Sequence, residues 1–168
     1  MGRKFACFLL CLAAVLTLAA CSVPGERTSS EEYILGDELA ITMDGGFKAS
    51  DTPGADVYLF KGDECALYAV RDTKQSLEDL GYDTSVLDLS AYFDLVTKAN
   101  GITAEEQTSE EAPVASCRRV SGDAEYWYCV TVRECGDAFW SVYLISPAGD
   151  GEPMPSFLSD YAASLRVL

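Results

Sequence analysis

The chain has 168 residues, of which 12 are basic and 27 acidic, for a formal net charge of −15. A surface that acidic argues against nucleic acid, whose phosphates need Lys and Arg partners, and against flat adhesion to anionic lipid headgroups. The sequence contains no histidine, which removes the commonest general base, a common zinc ligand and every Ser-His or Cys-His nucleophile pair.

The amino-terminal segment has the three parts of an export signal. Arg3 and Lys4 give a positive start, Phe5 to Leu18 is an apolar run broken only by Thr17, and Ala19 and Ala20 lead to Cys21. Fourteen helical residues span roughly 21 Å, short of the ~30 Å core of a bilayer, so a processed signal fits better than a permanent span. The run Leu18-Ala19-Ala20-Cys21 resembles the lipobox of bacterial lipoproteins. That resemblance implies a signal peptide at residues 1–20 and lipidation of Cys21. The protein would then sit at the bacterial cell membrane, lipid-anchored and facing outside the cytoplasm. Cysteine suits the chemistry because its thiolate is a strong nucleophile. An ordinary secretory signal that happens to contain a cysteine is the plainer alternative. The small residues before Cys21 and the polar tail after it favour the lipoprotein reading.

Without residues 1–20 the chain has 148 residues, 10 of them basic and 27 acidic, and a net charge of −17. That length suits one domain with a single core. Residues 21–32 are polar, carry Pro24 and Gly25, and read as a flexible tether, which leaves 33–168 as the domain. Leu39 to Met43 is a short strand closed by Asp44-Gly45-Gly46. Asp56 to Phe60 and Cys65 to Arg71 are the next two, joined by the hairpin signal Lys61-Gly62-Asp63-Glu64. Their loose apolar alternation predicts cover on both faces.

Helical spacing follows. Ser76 to Leu80 fits a short turn of helix ended by Gly81. Leu89 to Asn100 is the best helix, capped by Asp88 and stopped by Gly101, with Tyr92, Leu95, Val96 and Ala99 as its apolar stripe. The segment 104–112 holds four glutamates and reads as an exposed loop or fraying helix end. Val114 to Val120, Ala124 to Arg133 and Ala138 to Ser146 are three consecutive strands, joined by Ser121-Gly122-Asp123 and by Glu134-Cys135-Gly136-Asp137. Ser156 to Ser164 closes the chain as a helix with Phe157, Leu158, Tyr161 and Leu165 on its apolar side. Strands, helix, strands, helix predict an α+β fold: a mainly antiparallel sheet with helices packed on it.

The element order, the segment 87–101 and the run Gly136-Asp137-Ala138-Phe139-Trp140 resemble a group of small bacterial lipoproteins with the PsbP-like α/β/α sandwich. The resemblance covers about 33–168. It implies an accessory, assembly or partner-binding role and carries over no catalytic residue. The chain departs from the group in its cysteines.

Those four, Cys65, Cys117, Cys129 and Cys135, are candidate disulfide partners in an exported protein, although no Cys-x-x-Cys motif occurs. A small-hydrophobe role in the core is the simpler reading for Cys117 and Cys129. Cys129 and Cys135 are not expected to bond to each other, because an extended strand carries six residues up to ~20 Å. A three-residue loop at Gly122 to Ala124 would bring Cys117 and Cys129 into register, and a two-residue loop would turn them to opposite faces.

Tyr126, Trp127, Tyr128, Phe139, Trp140 and Tyr143 have the look of a stacking platform. Adjacent strand residues face opposite sides, however, so core packing is the preferred reading. Glu105, Glu106, Glu110 and Glu111 read as a solvated loop, since calcium needs a shaped loop of six to eight oxygens and no Asp-x-Asp-x-Asp-Gly is present. The expectation is therefore a non-catalytic binding or accessory module. It is tethered to the membrane through Cys21, takes no metal or cofactor, is monomeric, and is open to a protein partner but not to nucleic acid. The alternatives are a solute- or ion-binding lipoprotein and, more remotely, a histidine-free hydrolase.

Overall fold

The computed structural model describes residues 29–52, 54–102 and 113–168. In chain order the strands and helices are β1 (Ser30–Leu35), β2 (Leu39–Asp44), β3 (Lys48–Ala49), β4 (Val57–Lys61), β5 (Ala66–Thr73), α1 (Lys74–Asp79) and α2 (Leu89–Ala99). After these come β6 (Val114–Ser121), β7 (Ala124–Cys135), β8 (Ala138–Pro147), α3 (Ser156–Ser164) and β9 (Arg166–Val167). Six strands form one antiparallel sheet in the order β3-β4-β5-β8-β7-β6, and β1-β2-β9 form a smaller antiparallel sheet. The fold is α+β, with antiparallel sheets and three helices.

The six-stranded sheet is covered on both faces. One face carries Tyr68, Val70, Tyr128, Val130, Phe139 and Tyr143 against Leu77 of α1 and Tyr92, Phe93 and Val96 of α2. The other presents Leu67, Cys129, Trp140, Val142 and Leu144 to Leu158, Tyr161 and Ala162 of α3 and to Leu35, Leu39, Ile41 and Met43 of the β1–β2 hairpin. Strands buried on both sides read as continuous apolar runs, which is the pattern of β5, β7 and β8. Burying a large apolar side chain contributes about 1.5–3 kcal/mol. The central strands β5, β8 and β7 therefore carry much of the stability.

Local chemistry sets the helix ends. The Asp88 side chain accepts from Ala91 N at 2.8 Å and starts α2, and Thr73 does the same for α1 from Ser76 N at 3.0 Å. Thr73 caps α1 ahead of Lys74, so this helix begins two residues before the predicted Ser76. Phe93 joins the buried side of α2, while Leu95 is only half-buried.

Several boundaries differ from the sequence expectation, and two short strands are additional to it. β1 takes in Ser30, Glu31 and Glu32, the last three residues assigned to the tether, because they pair with Asp44, Met43 and Thr42. Cys135 belongs to β7 and pairs with Ala138, which leaves the two-residue loop Gly136-Asp137. β3 and β9, of two residues each, exist only through their partners β4 and β2. Among the described residues no helix is long and apolar enough to cross a membrane. The predicted acidic loop at 104–112 lies outside the described residues, as does Cys21.

Candidate functional site

Two polar clusters interrupt the apolar packing. The first forms where the β1–β2 turn meets the main sheet. Gly36 and Asp37 both have φ of 58°, and a Cβ on Gly36 would lie 2.8 Å from Tyr58 Oη and 3.0 Å from Trp140 Cη2. Only glycine permits both that conformation and that approach. The turn delivers Glu38 to the sheet. Its carboxylate accepts from Arg71 Nη2 at 2.8 Å, Arg71 Nε at 3.0 Å and Trp140 Nε1 at 2.8 Å, and its carbonyl accepts from Leu168 N at 2.9 Å. Arg71 Nη2 also donates to Asp137 Oδ1 at 2.9 Å. The Arg71 guanidinium holds the Glu38 carboxyl below the usual carboxylate range, and Glu38 in turn raises Arg71. A carboxylate pinned in its ionised form by three donors is a poor proton donor. The cluster is a clip that joins hairpin, sheet and chain end.

The second cluster lies under α2. Tyr92 Oη donates to Asp72 Oδ2 at 2.7 Å, and the Tyr92 ring stacks on Phe139 with centroids 4.7 Å apart. Asn100 Nδ2 donates to Val96 O at 2.8 Å and to Tyr143 Oη at 3.1 Å, and Arg119 Nη1 donates to Asn100 O at 2.8 Å. The Ser141 side chain is fully buried there, beside the Tyr92 and Tyr143 hydroxyls. Burial pushes the Asp72 carboxyl up, and burial together with the Asp72 charge pushes Tyr92 well above its ordinary value. A raised carboxyl is what a general acid needs. Its one hydroxyl partner, however, belongs to a residue 1% exposed and walled by Phe139, so the arrangement seats the helix.

A third contact fixes the loop between β8 and α3. Arg118 Nη2 donates to Gly149 O and to Glu152 O, the latter at 3.2 Å, while the guanidinium lies over Trp127 at 5.0 Å.

The residues singled out in the sequence are distributed as core. Tyr126, Tyr128, Phe139 and Tyr143 face α2, Trp127 and Trp140 face α3, and all six are buried. These six residues form no exposed platform. Among the described residues no disulfide links Cys65, Cys117, Cys129 and Cys135. Ser121 pairs with Ala124, so the loop has two residues, Cys117 lies opposite Tyr128, and Cys117 and Cys129 point to opposite faces of the sheet. Cys129 and Cys135 are six residues apart on one continuous strand. Burial pushes the Cys65 and Cys129 thiols up to about 12. The thiolate is the reactive form, so both are inert packing residues.

Asp44-Gly45-Gly46, Ser121-Gly122-Asp123 and Gly149-Asp150-Gly151 fall at turns. Among the described residues no group of three or more Asp, Glu or Cys side chains is placed to hold a metal ion. Sequence reading missed Glu38, Arg71, Asp72 and Asn100. Gly36-Asp37 between Leu35 and Leu39 carried the hairpin signal that would have found Glu38. The others reveal their roles only through contacts distant in sequence.

No protein-family model matches the chain, and no curated protein does. Among solved structures, the chain is similar to the solution structure of cyanobacterial PsbP (CyanoP) from Synechocystis sp. PCC 6803. The TM-score is 0.44 and the identity 17%, over 90% of this chain and 99% of that one.

Proposed function

We propose that the protein is a membrane-anchored extracytoplasmic lipoprotein whose single domain serves as a non-catalytic binding or accessory module. The observation that carries this reading is the run Leu18-Ala19-Ala20-Cys21 behind a charged start and a short apolar segment, eight residues before the first described residue, Ser29. A diacylglyceryl group supplies two chains, which anchor stably where one is marginal. From Cys21 to Ser30 the chain reaches at most about 30 Å, at ~3.3–3.6 Å per residue. The domain is thereby held near the surface, while the charge of −17 on residues 21–168 keeps it off anionic headgroups.

The non-catalytic part of the reading rests on the missing histidine and on the polar clusters. Their charged and hydroxyl groups seat a hairpin, a helix and a loop, and none meets at an open site with a nucleophile. Replacing Cys21 with Ala tests the reading. The variant is expected to lose the lipid and to leave the membrane fraction or persist uncleaved. A Cys21→Ala protein that fractionates and matures like the parent would overturn the anchor.

A further inference from the structure

The small sheet closes one of its edges and leaves the other open. Gly45 N donates to Ser29 O at 2.9 Å, and Ser30 lies opposite Asp44 in the register that follows. Bonded pairs alternate along an antiparallel ladder. Glu31, Tyr33 and Leu35 therefore bond β2, while the N–H and C=O groups of Ser30, Glu32 and Ile34 point away from it. On the far side of β2 the corresponding groups are taken. Ala40 pairs with Arg166, the Ser164 hydroxyl bonds both N and O of Thr42 at 3.0 Å, and Tyr161 Oη accepts from Asp44 N at 3.3 Å. Among the described residues no strand or side chain does the same for β1.

The open edge has a defined chemistry. Ser30, Glu31, Glu32 and Ile34 are exposed along it. Glu31 and Glu32, with Asp37 in the turn and Asp44 at the base of the hairpin, stand against one guanidinium, that of Arg166. Arg166 pairs with Glu32 at 2.6 Å, but both side chains are exposed, and such a pair contributes little and yields to a second cation. A second copy does not suit this edge. Antiparallel self-pairing centred on Glu32 lays two carboxylates directly opposite each other, and both copies are strongly acidic. The other open edges offer less. β3 has two residues, and on β6 the Arg118 and Arg119 guanidinium groups are committed to Gly149 O, Glu152 O and Asn100 O.

We propose that β1 receives an extended basic segment of a partner protein, which adds to it antiparallel as a further strand of the small sheet. The main chain of the segment bonds Ser30, Glu32 and Ile34. Its register is set by a Lys or Arg opposite Glu32 and by an apolar residue two positions away, opposite Ile34, on the same face. This rests on the binding-module part of the reading above and gives it a surface and a partner chemistry.

Amide hydrogen exchange on the full-length protein, with a synthetic peptide of alternating lysine and valine at millimolar concentration, tests this. The peptide should slow the amides of Ser30, Glu32 and Ile34 about tenfold and leave those of Glu31, Tyr33 and Leu35 as they were. Glu32→Pro removes an N–H that β2 does not use, so the variant should keep its melting temperature and lose the protection. Glu32→Gln should weaken the protection and its dependence on salt. Four results would each overturn the proposal. An alternating glutamate and valine peptide protects equally, or the protection survives Glu32→Pro. The alternating pattern grows with protein concentration in the absence of peptide, which makes a second copy the occupant. No protection develops at all, which makes the charges of β1 a guard against pairing. The anchor is read separately, from the fractionation of Cys21→Ala, so the two readings fail independently.

Discussion

Glu38 and Asp72 are carboxylates of the same sheet assembly whose environments push them in opposite directions. Glu38 meets a guanidinium in a two-pronged contact and an indole N–H, so ionisation is favoured in the fold. Its contribution is present above the unfolded carboxyl value of about 4.3 and is lost as pH falls through the lower folded value. Asp72 is desolvated with one hydroxyl partner. The cost of ionising it is absent below about 3.9 and grows as pH rises through its raised folded value. Urea unfolding at pH 4 and pH 7 separates the two. Glu38→Gln should lose roughly 1–2 kcal/mol at pH 7, less than a fully buried charged hydrogen-bond network because the pair is partly exposed, somewhat less at pH 4, and little once pH falls below the lowered folded value. Asp72→Asn should be neutral or stabilising at pH 7, with its advantage shrinking toward pH 4. Equal losses from both variants at both values would contradict the assignment of the two environments.

At the scale of elements, the sequence was legible wherever the determinants are local. Asp88 and Gly101 mark the ends of α2 through capping chemistry contained in one turn, and Ser156 to Ser164 follows from its apolar spacing alone. The strands from Val114 onward were found because the runs are long and the intervening glycines punctuate them. What was not legible depends on partners. β1 begins with Ser-Glu-Glu, polar residues that become a strand only because β2 lies beside them. Cys135 read as a turn residue because Glu134 and Gly136 flank it, whereas the register with Ala138 makes it the last residue of β7. The Glu38–Arg71 contact joins residues 33 apart, which no spacing rule reaches. The two-sided burial of the sheet yields its own expectation. Leu144→Ala, at a fully buried position of β8, should cost about 2–5 kcal/mol in denaturant unfolding. Val120→Ala, at a residue 70% exposed on the edge strand β6, should stay within about 0.5 kcal/mol. A small loss at Leu144 would mean that the α3 face is loosely packed.

For the whole molecule, the proposed arrangement is an acidic domain behind an anchoring segment. The hairpin β1–β2, which directly follows the tether, is bound to the sheet at its turn by Glu38, and Leu168 at the far end of the chain closes on that same residue. Pull transmitted along the proposed tether would enter a strand whose hairpin is fastened to β5 and β8. This suits a domain that presents a fixed body at the end of a short lead. The central claim is about attachment and address. It is tested most directly by mass spectrometry of the mature amino terminus of the protein purified from its native membrane. The account predicts a terminal peptide that begins at Cys21 and carries a diacylglyceryl group. An unmodified peptide that begins at any other residue would contradict it.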